Sequence, residues 1–157
     1  MRLNYILIPL IAIFVAWLGG RFTMAAVRTW YPTIGKPRWT PPGAVIGAVW
    51  TVLYILAAAS AFLVWNMSSL GVNSVPLIIT AIFILNAAVN VFWSYTFFYR
   101  RRIGPAIFVC LFLDLTIVAL IGLVASVSAA AAWLLVPYAA WVTFAAYLNY
   151  RVWEMNR

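Results

Sequence analysis

Apolar residues dominate this chain in five long runs, at 4–24, 43–65, 75–98, 106–127 and 129–153, separated by short polar breaks. Each run holds about twenty residues or more, which at roughly 1.5 Å per residue crosses a hydrocarbon core of about 30 Å. Lipid offers no partner for backbone N–H and C=O groups, and runs of this length exceed those of barrel strands, so the segments read as helices. The expected architecture is all-α: an integral membrane bundle of five transmembrane helices, one domain over residues 1–157. The breaks carry recognisable punctuation. Pro41-Pro42 precedes the second run, where proline suits a first helical turn. Arg100-Arg101-Arg102-Ile103-Gly104-Pro105 ends the third, and Ser126-Val127-Ser128 separates the fourth from the fifth. The first run ends near Gly19-Gly20-Arg21 and has no small-residue cleavage pattern after it, so it reads as a retained span.

The break at 28–42 is different in kind. Trp30-Tyr31-Pro32-Thr33-Ile34-Gly35-Lys36-Pro37-Arg38-Trp39-Thr40-Pro41-Pro42 combines stiff backbone with aromatic rings and cations. Its prolines and glycine exclude a regular helix. A long ordered connection of this composition suits a lid over a binding site. Trp30, Lys36, Pro37, Arg38, Pro41 and Pro42 are the candidate rim, and Trp39 is a candidate ligand contact.

Composition supports the membrane reading. Of 157 residues, 68% are apolar and 8% charged, too few charges to cover a water-facing globule. Mean hydropathy is +1.06. The net charge of +8 does not imply nucleic acid, because the cations sit at span ends. Arg21, Arg28, Lys36, Arg38, Arg100, Arg101, Arg102, Arg151 and Arg157 fall on one side, and Arg2 alone stands on the side of the 66–74 and 126–128 turns. That asymmetry places the lid loop and the C-terminus in the cytoplasm. The chain has no histidine, which removes the commonest metal ligand and general base, and no metal site is expected. Its one cysteine, Cys110, excludes an intrachain disulfide.

Within the spans, Trp50, Trp93 and Trp141 lie at comparable depth beneath the loop, about 10–15 Å in by helical rise. Each can be core packing; three together favour a pocket. Tyr54 is four residues after Trp50 and can share its face, and Tyr138 with Trp141 forms a stripe on the fifth helix beside Pro137. Asn86 and Asn90 share a face of the third helix near Trp93. They serve either as interhelical hydrogen bonds or as polar contacts to a ligand. Asp114 is an intramembrane carboxylate, expected to be protonated and hydrogen-bonded rather than part of a proton relay. Gly43-xxx-Gly47 and Ala16-xxx-Gly20 fit the small-xxx-small pattern, common by chance in alanine-rich spans, which allows tight helix packing or dimerisation without choosing between them.

At these positions the chain resembles the TspO/MBR family, the tryptophan-rich sensory proteins and translocator proteins. The loop matches W-Y-x-x-[LI]-x-K-P-x-W-x-P-P through Trp30, Tyr31, Ile34, Lys36, Pro37, Trp39, Pro41 and Pro42. Trp50, Leu53 and Tyr54 match W-x-x-L-Y, and Asn90, Trp93, Phe97 and Phe98 match N-x-x-W-x-x-x-F-F. Pro137-Tyr138-x-x-Trp141 and Leu148-Asn149-Tyr150-x-Val152-Trp153 match the fifth helix. The resemblance implies a five-helix bundle, often a homodimer, with a ligand cavity capped by the first loop. It implies a porphyrin or haem ligand, no required cofactor, and room for drug-like isoquinoline or benzodiazepine molecules. Trp50, Asn86, Asn90, Trp93, Tyr138 and Trp141 fall on the positions that would line the cavity. Glu154 stands where the sterol-recognition pattern of animal members has arginine, which disfavours cholesterol as the natural ligand.

Three functions follow as expectations. The first is a membrane receptor for tetrapyrroles, with rings on Trp50 and Trp141 and carboxylates on Lys36 or Arg38. The second is a light-dependent porphyrin-degrading enzyme with Trp50 and Trp141 as its catalytic residues; the lack of histidine, paired carboxylates and an activated nucleophile opposes hydrolytic or metal catalysis but not radical photochemistry. The third is a tetrapyrrole or sterol transporter, against which stands the absence of repeat symmetry.

Overall fold

The computed structural model describes residues 4–68 and 75–157. Among the described residues all regular structure is helical: α1 (Asn4–Thr29), α2 (Gly43–Ser68), α3 (Val75–Ser94), α4 (Ile103–Ala125), α5 (Ala129–Trp133) and α6 (Val136–Glu154). Five segments are long and apolar enough to cross a bilayer, the fifth formed by α5 and α6 together. Arg2 and most of the expected 66–74 turn lie outside the described residues.

Three boundaries depart from the sequence pattern for physical reasons. Helix α1 runs on to Thr29 through Arg21 and Arg28, because Ala25, Ala26 and Val27 keep the helix going beyond the last bulky apolar residues. Helix α3 ends in a π-helical turn, Tyr95–Tyr99, closed by the Arg100 N–H donating to Tyr95 O at 2.9 Å. The wider turn buries Phe97 and Thr96 together at the bundle's loop end. Helix α4 begins at Ile103, with Pro105 in its first turn, where the missing N–H costs nothing. Arg101 makes the reversal between them with φ 54, a left-handed conformation that a non-glycine residue holds at some cost.

The helices pack as a ring in which α1 neighbours α2 and α3, α3 neighbours α4, α4 neighbours α6, and α5 bridges α2 and α4. Two clusters fill most of the interior. Leu53, Val89, Cys110, Leu113, Ile117 and Val142 lock α2, α3, α4 and α6 at mid-height. Val64, Ile79, Leu120, Val124, Ala131 and Leu135 close the end away from the loop. Helices α4 and α6 are thus firmly seated, while α1 meets α2 near both ends and again midway, where a β-carbon on Gly19 would lie 3.9 Å from Tyr54 Oη. Tyr5 meets Phe62 edge-on with ring centroids 4.9 Å apart, and at the other end a β-carbon on Gly43 would lie 4.0 Å from Val27 Cγ1.

Candidate functional site

Beside these contacts the helices leave a gap. A cavity of about 700 Å³ occupies the gap, walled by α1, α2, the end of α3 and α6. Along α2 it extends from Gly43 to Ala58, some 22 Å by helical rise. Its outer lip carries Ile13, Met24 and Ile55, which are 65%, 60% and 63% exposed, so the opening between α1 and α2 faces lipid. The small residues explain the gap. Ala16, Gly20, Gly43 and Gly47 all line it, and a β-carbon added at Gly20 or Gly47 would meet nothing within 4 Å. Within the chain, then, the missing side chains at Gly20 and Gly47 make room, and only Gly43 lies close to the facing helix, at Val27.

The inner wall is aromatic. Trp50, Tyr54, Trp93 and Trp141 all line the cavity. Trp50 lies 6.1 Å from Trp93 and 5.7 Å from Tyr54 between ring centroids, Trp93 stacks on Phe97 at 5.7 Å, and Trp141 packs on Phe144 at 5.3 Å. Trp93 Nε1–H donates to Asn149 Oδ1 at 3.4 Å, and Asn149 Nδ2 donates to Ile103 O at 2.9 Å. Trp141 Nε1 is buried and finds no acceptor among the described residues.

The match to the TspO/MBR family profile covers residues 6–154. The chain belongs to the TspO/MBR family. It is 36% identical over 129 residues to the tryptophan-rich protein TspO of Bacillus cereus, covering 82% of each chain. It is 33% identical over 154 residues to the human translocator protein, covering 98% of this chain and 89% of that one, and 34% identical over 128 residues to protein CrtK of Rhodobacter capsulatus, covering 81% and 78%.

In this TspO/MBR protein, three candidate ligand contacts sit behind the cavity wall instead of on it. Tyr54 OH donates to Asn90 Oδ1 at 2.9 Å, Asn90 Nδ2 to Tyr138 OH at 3.0 Å, and Tyr138 OH to Asn86 Oδ1 at 3.1 Å. Asn86 Nδ2 then donates to Thr116 Oγ1 at 2.8 Å, and that hydroxyl donates to Leu113 O at 2.7 Å. The chain of bonds stitches α2, α3, α6 and α4 together. Asn86, Asn90 and Tyr138 are all buried, and none lines the cavity. Their polar atoms are used by one another because membrane interior leaves no water to satisfy them.

The loop also differs from a simple lid. Of residues 30–42, Tyr31 alone lines the cavity. Its ring and that of Trp30 pack on Phe97, at 6.3 and 5.8 Å. Burial raises the Tyr31 phenol pKa above its ordinary value, so it remains a neutral hydroxyl at physiological pH. Lys36 turns back: Nζ donates to Tyr31 O and Ile34 O and lies 4.6 Å from the Tyr31 ring centroid. Trp39 is 45% exposed and stacks flat on Tyr147 outside the cavity, with centroids 5.6 Å apart. Arg38 is exposed, and Pro37, Pro41 and Pro42 shape the approach to α2, in whose first turn the Val45 and Ile46 N–H groups donate to Pro42 O. Lys36 and Arg38 are accordingly not the cavity's cations.

The loop is fastened from the C-terminus. Asn156 Oδ1 accepts from Gly35 N–H at 2.9 Å, and its Nδ2 donates to Gly35 O at 2.8 Å. Asn156→Ala removes both bonds. Amide exchange at 34–36, followed by mass spectrometry, should then accelerate about tenfold, since each such bond contributes on the order of 1 kcal/mol. Unchanged exchange there would show that the packing of Trp30 and Tyr31 holds the loop alone. Asp114 lies apart from the cavity, between α4 and α6, where Thr143 Oγ1 donates to its Oδ2 at 2.8 Å. The wall residues that sequence reasoning passed over are chiefly those of α1, Arg28 among them, together with Phe144. Only the small residues of α1 gave a signal, and it did not choose between packing and dimerisation.

Proposed function

We propose that this protein is a membrane receptor for tetrapyrroles and related flat hydrophobic molecules, bound in the cavity between α1, α2, α3 and α6. The observation that carries the reading is the convergence of Trp50, Trp93 and Trp141 from three helices on one 700 Å³ space. Small-molecule sites are commonly of this size, apolar and aromatic with few polar groups. Indole faces offset-stack on a flat conjugated ring, and the lipid-facing opening admits a ligand that partitions into the bilayer. Charge asymmetry orients the loop and the C-terminus toward the cytoplasm.

Titration of the purified protein in detergent with protoporphyrin IX should quench tryptophan fluorescence saturably. Trp141→Phe loses the free N–H donor and part of the indole face, and its affinity should fall about fivefold. Quenching that does not saturate, or a variant titration that overlays the unmodified protein's, would remove the proposal. A light-driven porphyrin oxidation by dioxygen is the second reading, favoured by Trp50 and Trp141 lining the same cavity. Illuminating the complex separates the two: bleaching no faster than that of free porphyrin in the same micelles leaves binding alone.

A further inference from the structure

The polar groups along the cavity are largely spent within the chain. Thr23 Oγ1 donates to Gly19 O at 2.8 Å and Thr51 Oγ1 to Gly47 O at 2.9 Å. Tyr54 and Asn149 are committed to the bonds described above. Besides the Tyr31 and Ser94 hydroxyls, two N–H donors are left over. One is the buried Trp141 N–H on α6. The other is Arg28, in the last turn of α1, the one charged side chain that lines the cavity among the described residues.

Among the described residues the other cations do not line the cavity, and four of them are engaged elsewhere. Lys36 is folded onto Tyr31, and the Arg21 and Arg157 guanidinium groups lie over Trp17 and Trp153 at 5.6 and 5.2 Å. The ion pair found among the described residues joins Arg151 to Glu154, so Arg28 pairs with no carboxylate among them. The α1 dipole accounts for a cation in that turn. Arg28 is exposed, as an interfacial cation is, and it also borders an apolar chamber that holds no acid. We infer that Arg28 is the anion-recognition residue of this cavity, and that its ligand carries a carboxylate on one edge of an otherwise apolar body.

The inference rests on the binding role proposed above and narrows it. A guanidinium pairs a carboxylate through two parallel N–H donors, an interaction stronger than a neutral hydrogen bond. An unpaired carboxylate entering an apolar space would lose its hydration without compensation. The cavity therefore selects a ligand seated with its charged edge at the loop end of α1 and its apolar rings inward against the indoles.

Protoporphyrin IX and its dimethyl ester share one ring system and differ in edge charge, so they test this directly by fluorescence titration. The unmodified protein should bind the free acid about tenfold more tightly than the ester. Arg28→Gln should weaken the acid about tenfold, leave the ester within about twofold and so erase the preference; Arg28→Lys should restore part of it. Arg21→Gln, which alters an arginine outside the cavity, should keep the full preference. Equal loss of both ligands in Arg28→Gln, or a preference that survives it, overturns the role of Arg28 while leaving the cavity as a porphyrin site. Failure of the unmodified protein to bind either compound removes the receptor reading and this inference with it.

Discussion

Gly47→Leu should abolish porphyrin binding while leaving the thermal stability of the protein unchanged or slightly higher. The two effects normally run together, because a large side chain forced between packed helices costs about 1–3 kcal/mol and loosens the fold. Here a β-carbon at Gly47 meets nothing within 4 Å, and the residue lines the cavity opposite α1. The leucine enters empty space, so no neighbour has to move. Leucine is also the better helix former, by roughly 0.5–1 kcal/mol in water-soluble hosts. A rigid macrocycle cannot share the same space, and an affinity loss of at least about thirtyfold, equivalent to ~2 kcal/mol, is expected. Gly122→Leu supplies the control. Gly122 likewise has open space around it but lies on α4, away from the cavity, so its variant should bind normally. A Gly47→Leu protein that unfolds several degrees early and still binds would mean that α1 and α2 close together through their glycines. That is one arrangement the small-xxx-small spacing allows.

This contrast locates the limit of what the sequence discloses. Length and apolar patterning specify five membrane-spanning segments because lipid permits few alternatives, and the observed helices follow them to within a few residues at most ends. Trp50, Trp93 and Trp141 could be placed at one depth by helical rise alone, and they do line one cavity. What periodicity does not convey is how far apart two helices stand. A stripe of small residues is compatible with contact or with a void, and the placement of α1 against α2 decides which: open space at Gly20 and Gly47, Val27 close to Gly43. Polar residues raise the same difficulty. Asn86 and Asn90 share a face, but whether that face looks into the cavity or toward Tyr138 and Thr116 depends on helix rotation by a few tens of degrees. Arg28 looked like one of nine interfacial cations. Only the path of α1 past Met24 shows that it borders the cavity, whereas Lys36, in the recognisable motif, is turned back on its own loop.

Asn90→Ala should do the reverse of Gly47→Leu: it should lower stability and spare the cavity. Asn90 is 2% exposed and stands at the centre of the polar chain, accepting from Tyr54 and donating to Tyr138. Its removal leaves the Tyr54 hydroxyl without an acceptor, and Tyr138 keeps only its bond to Asn86. Single interhelical bonds in membranes contribute about 0.6 kcal/mol on average, and up to roughly 2 kcal/mol. Two lost bonds and one stranded buried hydroxyl together should cost about 2–3 kcal/mol. For a chain of this size that corresponds to a Tm lower by roughly 4–10 °C in thermal unfolding monitored by tryptophan fluorescence. Because Asn90 does not line the cavity, porphyrin affinity measured well below the transition should stay within about threefold of the unmodified protein. The small residual effect comes through Trp50, whose ring rests edge-on against Tyr138 at 6.0 Å and is steadied by it. If the variant instead melts normally and loses the ligand, the amide faces the chamber and the hydrogen-bonded stitch between α2, α3 and α6 is not what holds the indoles in place. The two substitutions together separate the roles. One residue keeps the space open and contributes nothing to holding the bundle, and the other holds the bundle from behind the wall without touching what enters.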